Sequence, residues 1–396
     1  MPSRSTRVLT LGVFLTMTGI ALVAPILPLY AREFGVSRTA AGVLISSFAV
    51  SRLLLDPVGG VAVDRLGARR IMVSGGLVLA ASSVMAALAP NYGILLVARV
   101  LEGSGSAAFA VAAQQTIIVR SPEGRLAREI AFFQTGLLGG VAVGPFIGGR
   151  AAELGDFSTP FWIYAFMGLI VAFIAWRYVE DIEPSGRSTK ELWVAARATL
   201  RTPAFRALLF VAFAVFVMRA GARITLIPLY ASEELGLSES QIGDVLAISA
   251  VVTVLIVNPA GWLIDKVGRR PILVGGLLAT AASVVLYGQA SSYGGLIAVS
   301  LFFGLAAGTM GIVPPTLAGD LAPEGAEGAA VGMYRMAGDL GLIVGPVLLG
   351  SIADRGDFAL GFNVSAALLV AAAIVAIAVG GRRPRRTKAP ARIAAP

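Results

Sequence analysis

Apolar runs of about 20 residues recur along the chain, separated by short polar stretches. That is the length an α-helix needs to cross the hydrocarbon core of a bilayer. Twelve runs can be counted, centred near residues 19, 50, 80, 106, 140, 170, 217, 252, 281, 307, 341 and 369. They predict twelve transmembrane spans, numbered 1 to 12 below. The runs are rich in glycine and other small residues, as close helix packing in lipid requires. Prolines fall inside several of them (Pro25, Pro28, Pro57, Pro145, Pro228, Pro259, Pro314, Pro315, Pro346). Each removes a backbone donor and permits a kink, which transporters tolerate where a helix lines a cavity or bends.

The pattern also repeats. Gly60-Val-Ala-Val-Asp64-Arg65-Leu-Gly67-Ala-Arg69-Arg70 returns as Gly261-Trp-Leu-Ile-Asp265-Lys266-Val-Gly268-Arg-Arg270, 201 residues later. The same offset pairs Gly103 with Gly304, Pro122-Glu123-Gly124 with Pro323-Glu324-Gly325, and Gly144-Pro145 with Gly345-Pro346. A one-residue shift brings Pro28-Leu-Tyr-Ala onto Pro228-Leu-Tyr-Ala. The chain is therefore a duplication. Residues 1–180 read as one six-span half and 204–380 as the other. Residues 181–203 form a polar linker, with a short amphipathic helix expected over Glu191–Leu200, and residues 381–396 a basic tail beside anionic lipid heads. The first apolar run resembles a signal peptide, but it has a counterpart ahead of Pro228 and is expected to stay in the fold. The expected fold class is an all-α membrane protein, two pseudo-symmetric six-helix halves related by an axis along the membrane normal.

Composition supports this. The chain is 57% hydrophobic and 14% charged, against roughly 25% charged in soluble domains, and its mean hydropathy is +0.82. The lipid bilayer must solvate much of that surface. There is no cysteine and no histidine, so thiolate and imidazole chemistry are excluded. Proton handling near neutral pH falls to carboxylates. No metal-ligand cluster, phosphate-binding loop or Ser-His-Asp set occurs, so neither an enzyme nor a bound metal or cofactor is expected, and a single-chain monomer is assumed.

The net charge of +9 is an orientation signal. Of 32 Lys and Arg, 23 fall on the side holding both termini, four on the other (Arg32, Arg38, Arg150, Arg355) and five inside spans. Positive loops stay inside. Both termini are thus expected in the cytoplasm, with the chain multi-pass in the cytoplasmic (inner) membrane, and no nucleic acid is needed to explain the basic charge.

An ionisable residue at mid-membrane costs about 3 kcal/mol on insertion scales, so it faces a cavity or a partner. Three acids sit inside spans, each with an arginine one turn earlier: Arg52 and Asp56, Arg99 and Glu102, Arg335 and Asp339. At i, i+3 or i, i+4 both groups of a pair share one helical face. Each pair reads either as a fixed salt bridge or as a coupling site. Burial favours a neutral acid and a nearby guanidinium an ionised one, so a carboxyl balanced between them can load and release a proton. Glu102, Asp339 and Asp56 are the proton-coupling candidates; Arg99, Arg335 and Arg52 are their counter-ions. On span 7, Arg219 reads as a partner for Asp339 or for an anionic substrate, and Arg223 as a side chain snorkelling to the far membrane face.

These residues resemble the major facilitator superfamily over essentially the whole chain. Gly60–Arg70 matches its loop 2–3 pattern G-x-x-x-D-R-x-G-x-R-R, echoed at Gly261–Arg270. Arg99-x-x-Glu102-Gly103-x-Gly105 matches its fourth-helix pattern, with Glu where Gln is usual. Gly140, Gly144, Pro145, Gly148 and Gly149 match a fifth-helix motif of drug:proton antiporters, and Pro25-x-x-Pro28 matches the end of their first helix. Gly341, Gly345 and Pro346 repeat the fifth-helix motif in span 11, so it reads equally as a packing device of the duplicated fold. An acid in span 1, which several such antiporters use, is missing here. The resemblance implies proton-coupled efflux of a small-molecule substrate by alternating access. The alternative is an importer or facilitator of a small organic anion. It further implies a cytoplasmic gate of Asp64, Arg65, Gly67, Arg69, Arg70, Glu123, Asp265, Gly268 and Arg270. In that gate Asp64 would meet the positive N-terminus of span 11, near residues 329–332, and Arg70 would reach Glu123.

The orientation can be checked with a single cysteine, because the chain has none of its own. A cysteine replacing Pro396 is expected to react with a membrane-impermeant maleimide only in inverted vesicles; labelling in intact cells would reverse the topology.

Overall fold

A computed structural model describes residues 3–122, 125–181, 199–200, 202–310, 313–322 and 327–379. The expected helix over Glu191–Leu200 lies almost wholly outside them, as does the tail. The described chain is helical without strands. Span 1 runs Arg4–Val23 and, after a break, Leu27–Glu33; spans 2 to 6 run Arg38–Leu66, Ala68–Ala87, Tyr92–Arg120, Leu126–Leu154 and Thr159–Tyr178. Span 7 runs Pro203–Val217, continues as a π-helix over Met218–Leu226 and ends as Ile227–Glu233; spans 8 and 9 are Glu239–Val267 and Arg269–Tyr287. Span 10 comes in two pieces, Tyr293–Ala307 and Val313–Asp320, and spans 11 and 12 are Glu327–Ala353 and Phe358–Val379.

Eleven of these are long and apolar enough to cross a membrane. The exception is span 10, expected as one run centred near 307. Pro314 and Pro315 withdraw two consecutive backbone donors just past Gly308, and no continuous α-helix bridges such a gap. Span 1 breaks at Ala24–Ile26 for the same reason, at Pro25.

Local signals recur at the 201-residue offset. Asn91 caps span 4 by accepting from the Ile94 amide, and Ser292 caps span 10 from the Gly295 amide. Ser37 and Ser238 cap spans 2 and 8, the latter with a full capping box to Gln241. Gly67 and Gly268 close spans 2 and 8 at φ of 87° and 96°, left-handed backbone that a side chain would strain. This is the tight turn the loop motif predicts.

Packing follows the duplication. Within the first half span 1 lies on 5 and 6, span 3 on 4 and 6, and span 2 on 4; in the second half 7 lies on 11 and 12, 9 on 10 and 12, and 8 on 10. The main contacts between halves are span 2 with 11 and span 5 with 8, which exchange under the pseudo-two-fold, and span 7 also touches spans 1 and 2. Each half buries its own apolar core.

The glycine motif of spans 5 and 11 serves both kinds of seam. A Cβ on Gly140, Gly144 or Gly148 would meet span 1, at 2.5 Å from the Phe14 carbonyl oxygen, 2.5 Å from the Ala21 Cβ and 1.8 Å from the Leu22 carbonyl oxygen. On Gly341 and Gly345 it would meet the carbonyl oxygens of Phe213 and Val217 on span 7, at 2.5 and 2.6 Å. Gly149 instead abuts the Glu239 carbonyl oxygen of span 8 at 2.4 Å, and its repeat partner Gly350 the Arg38 carbonyl oxygen of span 2 at 2.6 Å. The Pro145 and Pro346 carbonyl oxygens lie 2.5 and 2.3 Å from where a Cβ would stand on Gly243 and Gly42. The motif is thus a packing device in both halves and also forms the contact between them.

Gly148→Ala is expected to force spans 1 and 5 apart at a cost of about 1–3 kcal/mol, read as a lower unfolding midpoint in detergent. Gly275→Ala, where a Cβ meets nothing within 4 Å, should leave that midpoint unchanged or slightly raised.

Candidate functional site

The seam between the halves grades from closed to polar. At the end away from the termini it is shut by reciprocal helix capping. Asp354, just past span 11, accepts from the Arg38 amide at 2.7 Å and the Thr39 amide at 2.9 Å, the first turn of span 2 in the other half. Glu153, its repeat partner at the end of span 5, accepts from the Ser240 amide and the Ser238 hydroxyl, both at 3.1 Å, at the start of span 8. Each carboxylate satisfies orphan N-terminal donors and faces the positive end of a helix dipole. Glu233 binds Arg32 (3.1 Å) and Arg38 (2.5 Å), and Asp244 binds Arg150 at 2.7 Å, again across the halves. Sequence reasoning used these arginines only to count charge. The signal that finds the latch is the 201-residue pairing of Glu153 with Asp354 and of Ser37 with Ser238.

Further in, the Ser46 hydroxyl donates to the Ile343 carbonyl at 2.6 Å. Beyond it lie the in-span charges. Arg52 pairs with Asp56 at 3.8 Å, as the spacing predicts, both only partly exposed. Asp339 is buried at 8% exposure and lies within electrostatic reach of Arg52 and Asp56 from the other half as well as of the Arg335 of its own helix. Arg335 departs from its expected pairing: it is exposed, and it donates across the halves to Gln114 of span 4 at 2.9 Å. The structure therefore brings Arg52, Asp56, Arg335 and Asp339 together at the seam, which is shut on the far side.

Glu102 and Arg99 do not join them. They pair with each other, as expected, inside the first half, at 0% and 4% exposure. The Ser83 hydroxyl donates to Glu102 at 3.2 Å, and the Arg99 guanidinium lies 4.8 Å over the Phe48 ring. Both side chains point into the bundle of their own half. The Arg99 Nε, the Ser106 hydroxyl and the Tyr164 hydroxyl are buried nearby without a partner.

Arg223 is a correction. It does not snorkel but turns inward, donating to the Ser249 hydroxyl (3.2 and 2.9 Å) and the Leu246 carbonyl (2.8 Å) of span 8. Two local acceptors inside the bundle outweigh a longer reach to the membrane face. Arg219 lies exposed one turn earlier and makes no ion pair with Asp339; Tyr334 and Arg52 are its electrostatic neighbours.

At the terminal side Asp64 accepts from the Gln115 amide at 2.6 Å, within its own half. The Arg69 amide donates to Asp181 at 3.0 Å, and Arg120 binds Glu180 and the Asp181 carbonyl. Arg65 and Arg70 are exposed. Arg269 pairs with Asp320, and Arg270 donates to the Ile377 carbonyl. Glu123 and the side chain of Asp265 lie outside the described residues.

Comparison with known proteins places this geometry. The family model described as Major Facilitator Superfamily matches residues 9–230 and 208–395. An uncharacterised MFS-type transporter of Methanocaldococcus jannaschii is 25% identical over 374 residues, covering 93% of this chain and 96% of that one. The multi-drug resistance efflux pump PmrA of Streptococcus pneumoniae is 27% identical over 366 residues, covering 88% and 89%. The crystal structure of the nucleoside transporter NupG superposes with a TM-score of 0.79 at 12% identity, over 96% of this chain and all of that one.

Removing both caps, with Glu153→Gln and Asp354→Asn, is expected to open the far side. A cysteine at the buried position Ser46 should then react several-fold faster with an impermeant maleimide added there. Burial works upward on the Asp354 pKa, but the hydrogen bonds from Thr39, the Arg38 amide and Ser37 outweigh it and hold the carboxyl below its ordinary range. A depressed acid contributes stability above its unfolded value and loses it as pH falls through the folded one. Closure should therefore be constant from about pH 8 to pH 5 and weaken only below about pH 4.

Proposed function

The chain belongs to the Major Facilitator Superfamily, and from that premise we propose that it exports small, mostly apolar compounds in exchange for protons by alternating access. It is a multi-pass membrane transporter and not an enzyme. The finer reading places it in the cytoplasmic membrane with both termini inside. Similarity to the pump PmrA over most of both chains supports efflux. The sequence motif shared with drug:proton antiporters on span 5 supports it too.

The observation that carries proton coupling is Asp339. It is buried in span 11, which packs on span 2 of the other half, and lies within electrostatic reach of Arg52 there. Protonating Asp339 removes that attraction and leaves Arg52 to Asp56 alone. Proton occupancy thus biases which arrangement of the halves is favoured, and this differential is what coupling requires. Glu102 is the second candidate, enclosed with Arg99 in the half that would move as a body. Asp64 and the loop motif would hold the terminal side shut in the opposite state. Gly67 supplies the turn.

One observation favours the second reading, passage of a small organic anion. Five in-span arginines stand against three in-span acids, which leaves a positive surplus for a substrate to neutralise. Proteoliposomes with inward-acid or outward-acid gradients separate export from uptake.

The coupling test uses a substrate found by survival screening of an exporter-deficient bacterium carrying this chain. Asp339→Asn is expected to abolish gradient-driven transport while sparing substrate exchange at equal pH. A pure salt-bridge role predicts instead that both activities fall together with protein yield, because one charge of a buried cross-half cluster is lost. If Asp339→Asn and Glu102→Gln both retain full gradient-driven transport, neither acid couples and Asp56 is next.

A further inference from the structure

The two halves bury an arginine in the same place by different means. In the first half Arg99 stands over Phe48 and pairs with Glu102. The residues 201 positions later are Ser300, Ser249 and Phe303. The second half thus carries neither the arginine nor its acid on span 10. The guanidinium is supplied instead by Arg223 of span 7, which hydrogen-bonds Ser249 and lies 5.9 Å from the Phe303 ring centroid. It occupies the counterpart of the Arg99 site, with a phenyl ring where the counter-ion would be. Its Nη1 makes no hydrogen bond to any described residue.

Arg219 lies one turn away, exposed, with no hydrogen bond or ion pair to any described residue. The two guanidiniums are close enough to repel each other, and Arg219 also lies within electrostatic reach of Arg52. Both sit on the π-helical stretch Met218–Leu226, where the Thr225 hydroxyl bonds back five residues to the Ala220 carbonyl at 2.8 Å. A π-helix of 4.4 residues per turn brings residues four apart onto nearly one face, and such segments collect at functional sites. Two like charges on one face of a membrane span, without a protein carboxylate, form an arrangement that an anion completes.

We propose that Arg219 and Arg223 form an anion subsite that takes the carboxylate, or an equivalent monoanionic group, of an otherwise apolar transported compound. Phe303 and Phe216 border it, with the Arg219 guanidinium 5.9 Å from the Phe216 centroid, and aromatic faces there suit the apolar remainder. This rests on the transporter reading above and narrows its substrates to amphiphilic acids. Arg219, open to the seam, meets the acid first. Arg223, held by span 8, fixes its final position.

The test is equilibrium binding to purified full-length protein, followed by ligand-induced shifts in unfolding midpoint. The probes are 1-naphthoate and its neutral isostere 1-naphthamide. Wild type is expected to bind naphthoate at least about tenfold more tightly than naphthamide. Arg219→Gln should lose about tenfold in naphthoate affinity, the worth of one charge-assisted hydrogen bond, with naphthamide unchanged. Arg219→Lys should recover part of the loss. Arg223→Lys, which keeps the charge that span 8 accommodates, should bind naphthoate more weakly than wild type because it cannot both hold span 8 and reach the ligand. Equal binding of acid and amide by wild type, no naphthoate binding at millimolar concentration, or an Arg219→Gln variant that weakens both probes alike overturns the subsite. No gradient enters this measurement. Protein that binds naphthoate selectively but transports under neither pH gradient overturns the transporter reading and leaves the subsite. Protein that transports but binds both probes alike overturns only the subsite.

Discussion

Hydrocarbon offers a charge no solvent, and that constraint decides where each in-span ionisable group of this chain sits. Arg99 and Glu102 satisfy each other inside the first half. Arg52, Asp56, Arg335 and Asp339 gather at the seam, where neighbours from both halves share the solvation. Arg223 finds a hydroxyl and a carbonyl, and Arg219 stays exposed on the span-7 face nearest Arg52. Lipid-facing positions are left apolar, which is why the spans look so uniform along the sequence. The chemistry of the protein is confined to the surfaces its halves present to one another and to the interior of each half.

Those surfaces come together because glycine lets backbones touch. Spans 5 and 11 each present a row of glycines to a helix of their own half, and a second face made of one glycine and a proline carbonyl (Gly149 and Pro145, Gly350 and Pro346) to a helix of the other. One element thus sets both the internal rigidity of a half and the register between halves. A substitution on the first row loosens a domain, whereas one on the second alters how domains meet. The carboxylates at the ends of the same helices, Glu153 and Asp354, extend that register into the polar layer.

Much of this was legible in the sequence because it is written in backbone terms. The 201-residue offset, the turn glycines Gly67 and Gly268, the capping residues and the twelve apolar runs require only local chemistry, and they placed the halves, the spans and the loops. The Arg52–Asp56 and Arg99–Glu102 pairs were legible for the same reason, being one helical turn apart. The pairing of Arg335 with Asp339 was not, although the spacing is identical. There a partner from the other half, Gln114, competes for the guanidinium, and no local rule contains that residue. The direction of Glu102, into its own half, was hidden because spans apolar on every face give no stripe to orient them. The break in span 10 was written in Pro314 and Pro315, but a count of apolar residues does not register a missing donor. The π-helix in span 7 leaves no compositional mark.

The reciprocal caps have a kinetic consequence. Asp354 holds a helix start of the first half, Glu153 holds the matching start of the second, and the pseudo-two-fold makes the two grips equivalent. A rotation that strains one strains the other by the same amount, so they fail at the same angle. Two bonds that break together give a steep, narrow barrier, whereas bonds that break in sequence give a staircase. Such paired failure disfavours partly opened arrangements of that face. Partly opened arrangements are the ones through which small ions would slip, and a pair of caps built by duplication works against them without any residue dedicated to the task.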